Sequence, residues 1–347
     1  MTKKILFIPV SSEKGIGEYI RSLIVANKLK QEHAQIDIAF VLNKHAPYYH
    51  QCPFKVFGCD SSPTKDSKKV IQHIDNFSPD LAVFDASGRV AQLKHCHTNK
   101  IKTLFIAQHE RKLKQGLRWR RLRYIDQICV VQPAFLLPEL SFWDKYKLKM
   151  LNKPLPVYCG PVFAEPSSHH KKQMLAKFQL LENRFILFNA GSGGHMKQGI
   201  NAAEEFVRAA ECLSQTTKMQ CVVVLGPSYM GSVIDNPNLR VIKSLSPEEF
   251  NALLSQCGMA ILTGGGALLY GIHCGKKIVA SAVSADQPSR IKRCEAAGLM
   301  LSSPLSAKSL ADSASMLISQ DEKRYHSGIN NGVTSILNTI GKLVKSS

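Results

Sequence analysis

The chain has 347 residues, 44% of them hydrophobic and 20% charged, with a formal net charge of +19. That length exceeds one ordinary core and fits two domains, while the composition is that of a folded globular protein and excludes a disordered or fibrous one. No run approaches the roughly 20 apolar residues needed to span a bilayer, and the opening KKILFIPV is too brief for a signal-peptide core.

Taken in chain order, apolar runs alternate with helix-period segments almost from end to end, the pattern of parallel sheets covered on both faces. Ile5 to Val10 reads as strand, Glu18 to Gln31 as helix, Ile36 to Leu42 as strand and Ser67 to Asn76 as helix. Leu81 to Phe84, Thr103 to Ala107, Gln127 to Val131 and Leu155 to Tyr158 follow as strands. GPVFAEPSSHHKK, rich in Pro, Ser and charge, then reads as a link between domains. The second half restarts at Arg184 to Asn189 as strand and continues with a helix from Gln198 to Leu213, a strand from Gln220 to Leu225, a short strand around Val241 and a helix from Pro247 to Gln256. Residues 305 to 345 are mostly helical. The expected division is 1–163 as an N-terminal domain, 164–183 as linker and 184–325 as a C-terminal domain. A terminal helix, 326–347, is expected to pack back on the first domain.

Ten cysteines are scattered without a C-x-x-C pair, which suits reduced, buried thiols in a cytoplasmic protein. The run His95-Cys96-His97 lacks a second ligand cluster, and its neighbours point in different directions, so no metal site is expected. The charge is uneven. Residues 1–160 carry 26 Lys+Arg against 13 Asp+Glu, and the excess concentrates in HERKLKQGLRWRRLRY, where seven cations from Arg111 to Arg123 surround Leu117, Trp119, Leu122 and Tyr124. Such a segment suits an anionic surface, phospholipid before nucleic acid. Its plain alternative is a solvated basic face with its apolar residues in the core.

The most informative stretch runs from Met259 to Leu301. An apolar strand is followed by Gly264-Gly265-Gly266, an apolar helix, a second strand, Ala285-Asp286-Gln287-Pro288 and a further helix. Glycines directly after a buried strand let backbone N–H groups approach a ligand, and the next helix points its positive end at the same spot, which suits phosphate. A carboxylate and an amide, Asp286 and Gln287, are suited to gripping neighbouring sugar hydroxyls. Two more glycine loops stand at strand ends. PVSSEKGIGEYIRS contains Gly15 and Gly17, then Glu18 and Arg21; FNAGSGGHMKQG contains Gly191, Ser192, Gly193, Gly194 and His195. The latter lacks the Lys-Ser/Thr ending of a P-loop, which removes an NTPase reading.

Together these loops resemble the GT-B glycosyltransferases, in particular the peptidoglycan N-acetylglucosaminyltransferases, the UDP-glycosyltransferases with their Asp-Gln loop and the nucleotide-sugar hydrolases of the pseudaminic-acid pathway. The resemblance implies an α/β fold of two Rossmann-like, doubly wound domains facing each other across a cleft. It implies metal-independent transfer from a nucleotide-sugar, expected to be a UDP-sugar, to a lipid-linked or anionic glycan acceptor. The donor is a substrate, so no cofactor is expected. On this pattern Gly15, Gly17, Gly191, Ser192, Gly193, Gly194, His195, Gly264, Gly265, Gly266 and Ala267 approach the donor phosphates, Asp286 and Gln287 hold the sugar, and Tyr270 lies where relatives hold the ribose.

Glu18 stands where the family's first loop usually has a catalytic histidine. A carboxylate there can act as base or simply favour the helix dipole. Asp85 and His109, at the ends of the next strands, are further catalytic candidates or helix caps. Relatives carry a ribose glutamate after the glycines where this chain has Ala267-Leu268-Leu269-Tyr270, and asparagine where it has Arg290. The alternatives are a hydrolase of the same fold and a catalytically silent nucleotide-sugar-binding partner protein; nucleic-acid binding is not expected. A cytoplasmic location on the inner face of the membrane, in the synthesis of cell-envelope glycans, is the expected setting.

Overall fold

The computed structural model describes residues 2–12, 16–197, 199–231, 239–320 and 328–345. The chain divides into two compact units, residues 1–163 with 331–347, and residues 164–330.

In the first unit the strands are β1 (Lys4–Pro9), β2 (Asp37–Asn43), β3 (Lys55–Cys59), β4 (Leu81–Asp85), β5 (Lys102–Ala107), β6 (Gln127–Val130) and β7 (Val157–Tyr158). They form one sheet in the order β3-β2-β1-β4-β5-β6-β7, and every neighbouring pair is parallel. The period of two in a strand explains the two cores. Ile5 and Phe7 enter one with Phe40, Leu42 and Val83, while Leu6 and Ile8 enter the other with Ala39, Val41 and Phe84. A strand buried on both faces reads as an unbroken apolar run, as KILFIP does.

The helices here are α1 (Gly17–Glu32), α2 (Ser67–Phe77), α3 (Val90–Thr98), α4 (Glu110–Gly116), α5 (Trp119–Leu122) and α6 (Phe142–Met150). The chain's last helix, Val333–Lys345, also belongs to this unit, and its Ile336 and Ile340 join the core beneath α1. Its entry is tight. Gly332 N–H donates to Pro161 O at 2.7 Å, the Asn331 side chain bonds both Phe163 N and O, and a Cβ on Gly332 would run into the Gly160 carbonyl.

The second unit opens with α7 (Ser168–Phe178), then β8 (Phe185–Asn189), the short antiparallel pair β9 (Met196–Lys197) and β10 (Ile200–Asn201), and α8 (Ala202–Thr216). There follow β11 (Gln220–Val224), β12 (Leu239–Ile242), α9 (Pro247–Leu254), β13 (Met259–Thr263), α10 (Gly266–His273), β14 (Lys277–Ser281), α11 (Gln287–Ala296), β15 (Leu301–Ser302) and α12 (Ala307–Ser319). The sheet order is β12-β11-β8-β13-β14-β15, again parallel throughout.

The expected linker, 164–183, is corrected here. Most of it is α7, which starts at a Ser167 cap, is tied by Lys177 to Glu249 of α9 at 2.9 Å, and sits in the second unit. Polar composition signalled an exposed helix face rather than a loose chain. Among the described residues, no helix is long and apolar enough to cross a membrane.

Candidate functional site

Parallel sheets direct all their strand-to-helix loops to the carboxyl end, where such folds bind ligands. In the second unit β8, β13 and β14 are adjacent, so the loops after Asn189, Thr263 and Ser281 lie side by side.

The loop after β8 is held from within. Asn189 Oδ1 accepts the Gly191 N–H at 3.0 Å, and its Nδ2 donates to Val224 O at 2.9 Å. The Ser228 N–H donates to Ser192 O at 2.8 Å. Gly193 has φ 85°, and a Cβ there would meet the Leu225 carbonyl and lie 2.9 Å from Tyr229 Cβ. Gly226 has φ 100° and presses on Ser192 in the same way. Gly193 is therefore required by loop packing. Asn189 and Gly226 escaped the sequence reading, although a glycine just after the strand end in VVVLGPS was a visible signal. Ser192 and Gly194 are exposed, and His195 leans over Gly191, its Cδ2 3.8 Å from where a Cβ of Gly191 would stand.

The three glycines after β13 divide sharply. A Cβ on Gly264 would lie 2.9 Å from both Gln287 Cβ and the Ile291 side chain, so this glycine lets α11 pack against the strand end. Gly265 would meet only Thr263 Oγ1, at 3.7 Å, and Gly266 faces open space. α10 begins here with Gly265 as its cap residue, no side-chain cap and no acid in its first turn. Its first N–H groups, including that of Ala267, point out of an uncapped positive helix end, where an anion is favoured.

Gln287 differs from expectation. It is buried, and its Oε1 accepts from Gly264 N at 3.3 Å and from Val283 N at 2.9 Å. The amide ties the two loops together; its oxygen is spent on backbone rather than on a sugar. Arg290 adds a second tie, from Nη1 to Gly264 O. Asp286 is exposed at the start of α11 and accepts from Ser284 Oγ at 2.7 Å. That hydroxyl, with Arg290 and His195 nearby, holds the carboxyl below the usual carboxylate range. Tyr270 is 2% exposed, packed inside α10 beside Cys274 and Ser255, with its hydroxyl pushed up by burial. Its place on the core side of the helix removes it from any ribose contact. The Ser281 hydroxyl at the end of β14 is buried and has no hydrogen-bond partner among the described residues.

In the first unit a second group of charges gathers at the ends of β1, β4 and β5. Asp85 is fully buried; it accepts from Arg21 Nε at 2.8 Å and Nη2 at 2.6 Å and from Ser22 Oγ at 3.2 Å. Burial pushes its carboxyl up and the guanidinium opposes that. The helix-cap reading is corrected, because the cap residue of α3 is Arg89, and the carboxylate of Asp85 is enclosed by Arg21 and Ser22 rather than open to the surface. It positions Arg21, which also donates to Gln108 Oε1 at 3.0 Å.

His109 is the cap residue of α4, its Nδ1 accepting from Lys112 N at 3.4 Å. Burial, then Lys112 and Arg111, hold the ring below the ordinary imidazole range. Lys112, missed as a site residue, donates to Ala86 O at 2.6 Å, at a residue with φ 54°. Glu18 lies half-buried in the first turn of α1, where its charge acts on Arg21, Asp85, His109 and Lys112. Gly17, at the start of that helix, faces open space. Gly15 lies outside the described residues.

His95 pairs with Asp75 at 2.6 Å, Cys96 is buried and His97 packs on Tyr124, so the three side chains diverge. In the basic segment Leu117 and Leu122 are core residues, while Arg111, Arg118, Arg120 and Arg123 are exposed. Of the apolar residues in 111–123, Trp119 is exposed while Leu113, Leu117 and Leu122 are buried.

Solved structures share this architecture over the whole chain. The chain is similar to a UGT transferase of Siraitia grosvenorii in complex with UDP, with 14% identity, a TM-score of 0.67 and coverage of 99% of this chain and 100% of that one. It is similar to the calicheamicin glycosyltransferase at 13% identity, TM-score 0.66 and 100% and 99% coverage. A UDP-GlcNAc 2-epimerase of Neisseria meningitidis bound to UDP-GlcNAc gives 14%, 0.65, 99% and 100%. The chain has the GT-B fold. No protein-family model and no curated protein matches it.

Proposed function

We propose that this GT-B protein is a glycosyltransferase that takes its sugar from a nucleotide-sugar, a UDP-sugar in the first instance. The observation that carries the reading is the uncapped start of α10 at Gly265 and Gly266, opening beside exposed Asp286 at the carboxyl ends of three adjacent parallel strands. Among the solved structures it resembles, one UGT transferase holds UDP and one epimerase holds UDP-GlcNAc.

In this reading the donor diphosphate sits on the N–H groups of Gly265, Gly266 and Ala267, with Ser192 and His195 adding side-chain donors. Asp286 grips sugar hydroxyls. α1 is the weaker anion site, because Glu18 already occupies its first turn with negative charge. As the nucleoside diphosphate leaves, its growing charge is met by fixed amide dipoles that need no reorganisation. Glu18 is the acceptor-side base, and Arg21, His109 and Lys112 are cations and donors for an acceptor of anionic or lipid-linked character.

A second reading, nucleotide-sugar hydrolysis or epimerisation, is favoured by the epimerases among the similar structures. A time course with UDP-GlcNAc and other UDP-sugars, without acceptor, separates the two. Transfer predicts little UDP release and an unchanged sugar until a glycan or lipid-linked acceptor is supplied; rapid release or isomerised sugar without acceptor would favour the second reading.

A further inference from the structure

Several exposed apolar side chains gather on α6. Phe142 is 74% exposed and Trp143 70%, with Tyr146, Met150 and, just beyond the helix, Leu155 exposed beside them. Their spacing puts Phe142, Tyr146 and Met150 on one stripe of the helix with Trp143 at its edge. The rings touch one another rather than the core: Phe142 and Tyr146 stack at 6.5 Å, and Trp143 meets each edge-on at 5.8 and 6.2 Å. On the opposite side Leu148 is buried and anchors the helix. Exposed Lys145 and Lys149 flank the apolar stripe.

The stripe adjoins the basic segment. Lys147 Nζ donates to Leu117 O at 3.0 Å, and Lys114 is near enough to help hold the Asp144 carboxyl down. Beside α6 lies a mainly apolar recess of about 370 Å³ whose lining includes Leu137, Leu140, Leu155 and Tyr158 together with the charged Glu139 and Lys145.

We propose that α6 is a membrane-docking element that inserts Phe142, Trp143, Tyr146 and Met150 into the interface of an anionic phospholipid layer, with Lys145, Lys149 and the arginines of 111–123 on its headgroups. Charge chooses the occupant: an apolar stripe rimmed by cations is matched by headgroups that are anionic over acyl chains that are apolar. Trp and Tyr are the side chains that settle at that depth, and a solvent-facing patch of this kind marks an interaction surface. The proposal stands apart from the nucleotide-sugar reading, because docking requires no donor.

The test uses the full chain without nucleotide. Trp119 and Trp143 are the two tryptophans, so Trp119→Phe leaves Trp143 as the reporter. Its emission should shift to the blue with phosphatidylglycerol-containing vesicles and not with phosphatidylcholine alone, and the shift should fade as salt rises. A Phe142→Ser, Trp143→Ser double variant changes exposed side chains and should keep its melting temperature, yet lose at least tenfold in co-sedimentation with anionic vesicles. A Lys145→Gln, Lys149→Gln variant should weaken the same binding severalfold. Three results would overturn the proposal: no blue shift on anionic vesicles, equal co-sedimentation of the double variant and wild type, or a lipid-free dimer in analytical ultracentrifugation that the double variant abolishes. The last would make the stripe a self-association surface.

Discussion

Arg21 and Asp85, 64 residues apart in sequence, form a two-bonded ion pair at the carboxyl end of the first sheet, with the carboxylate wholly enclosed. The pair fixes a guanidinium where α1 meets β4. Removing one partner of a buried pair leaves an uncompensated charge, which costs about 3–5 kcal/mol. Asp85→Asn should therefore lower stability by about that amount in urea denaturation, while Arg21→Met together with Asp85→Leu should recover much of it. Equal stability of wild type and Asp85→Asn would mean that the pair is solvated and does not position Arg21.

The glycines after β13 should separate by role. Gly264→Ala is expected to destabilise by about 1–3 kcal/mol, the usual cost of forcing atoms into a packed site, because Gln287 and Ile291 occupy the space. Gly266→Ala meets nothing and should leave stability unchanged or slightly improved. Thermal melts of the two variants check this ordering; similar losses in both would show that the helix start is not open.

Gln287→Ala should behave as a structural lesion. It leaves Gly264 N–H and Val283 N–H without their acceptor, at about 1–3 kcal/mol for a buried unsatisfied group, and any loss of donor affinity should follow the loss of stability. A stable variant with selective loss of the sugar part of the donor would restore direct sugar recognition. Tyr270→Phe should leave nucleotide affinity unchanged.

Much of the fold was legible, because strands buried on both faces print continuous apolar runs such as LAVF and FILF, and parallel units repeat them at regular intervals. The glycine loops were legible as strand endings too. The division of labour within them was not. Whether Gly264 or Gly265 faces a ligand depends on where α11 packs, and the local triplet carries no trace of it. Asp85 reads as an open carboxylate because its partner, Arg21, lies on α1, 64 residues away in sequence. α6 escaped notice because FWDKYKLKM reads as an ordinary amphipathic segment, and only the buried Leu148 reveals that the aromatic side faces outward.

Acid should weaken the fold through His109 and His73. Burial holds both imidazoles below their ordinary value of 6.5, so the unfolded chain binds protons more readily. Their contribution is complete above that pH and is lost as pH falls through the lower folded-state values. An NMR titration of the His109 ring should give a midpoint below 6.5, and His73→Gln should flatten the decline in stability below that pH. A midpoint above 6.5 would place a carboxylate, Glu18 first, as the stronger influence on the ring.

Glu18→Gln should retain the fold and donor affinity while turnover falls by roughly 10²-fold or more, the range for losing a positioned base. Single-turnover assays with an active acceptor make the comparison. An unchanged rate would assign Glu18 to the helix dipole alone.

The central claim is that the start of α10 holds the donor diphosphate, and calorimetric titration of UDP and a UDP-sugar into wild type and Gly265→Val tests it most directly. Gly265 has an extended backbone that valine can adopt, and its Cβ would meet only Thr263 Oγ1 at an ordinary contact distance of 3.7 Å, so the variant should fold normally. The expected result is measurable UDP binding by wild type and at least a tenfold loss in the variant at equal thermal stability. Undiminished UDP affinity in a folded Gly265→Val protein would contradict the account.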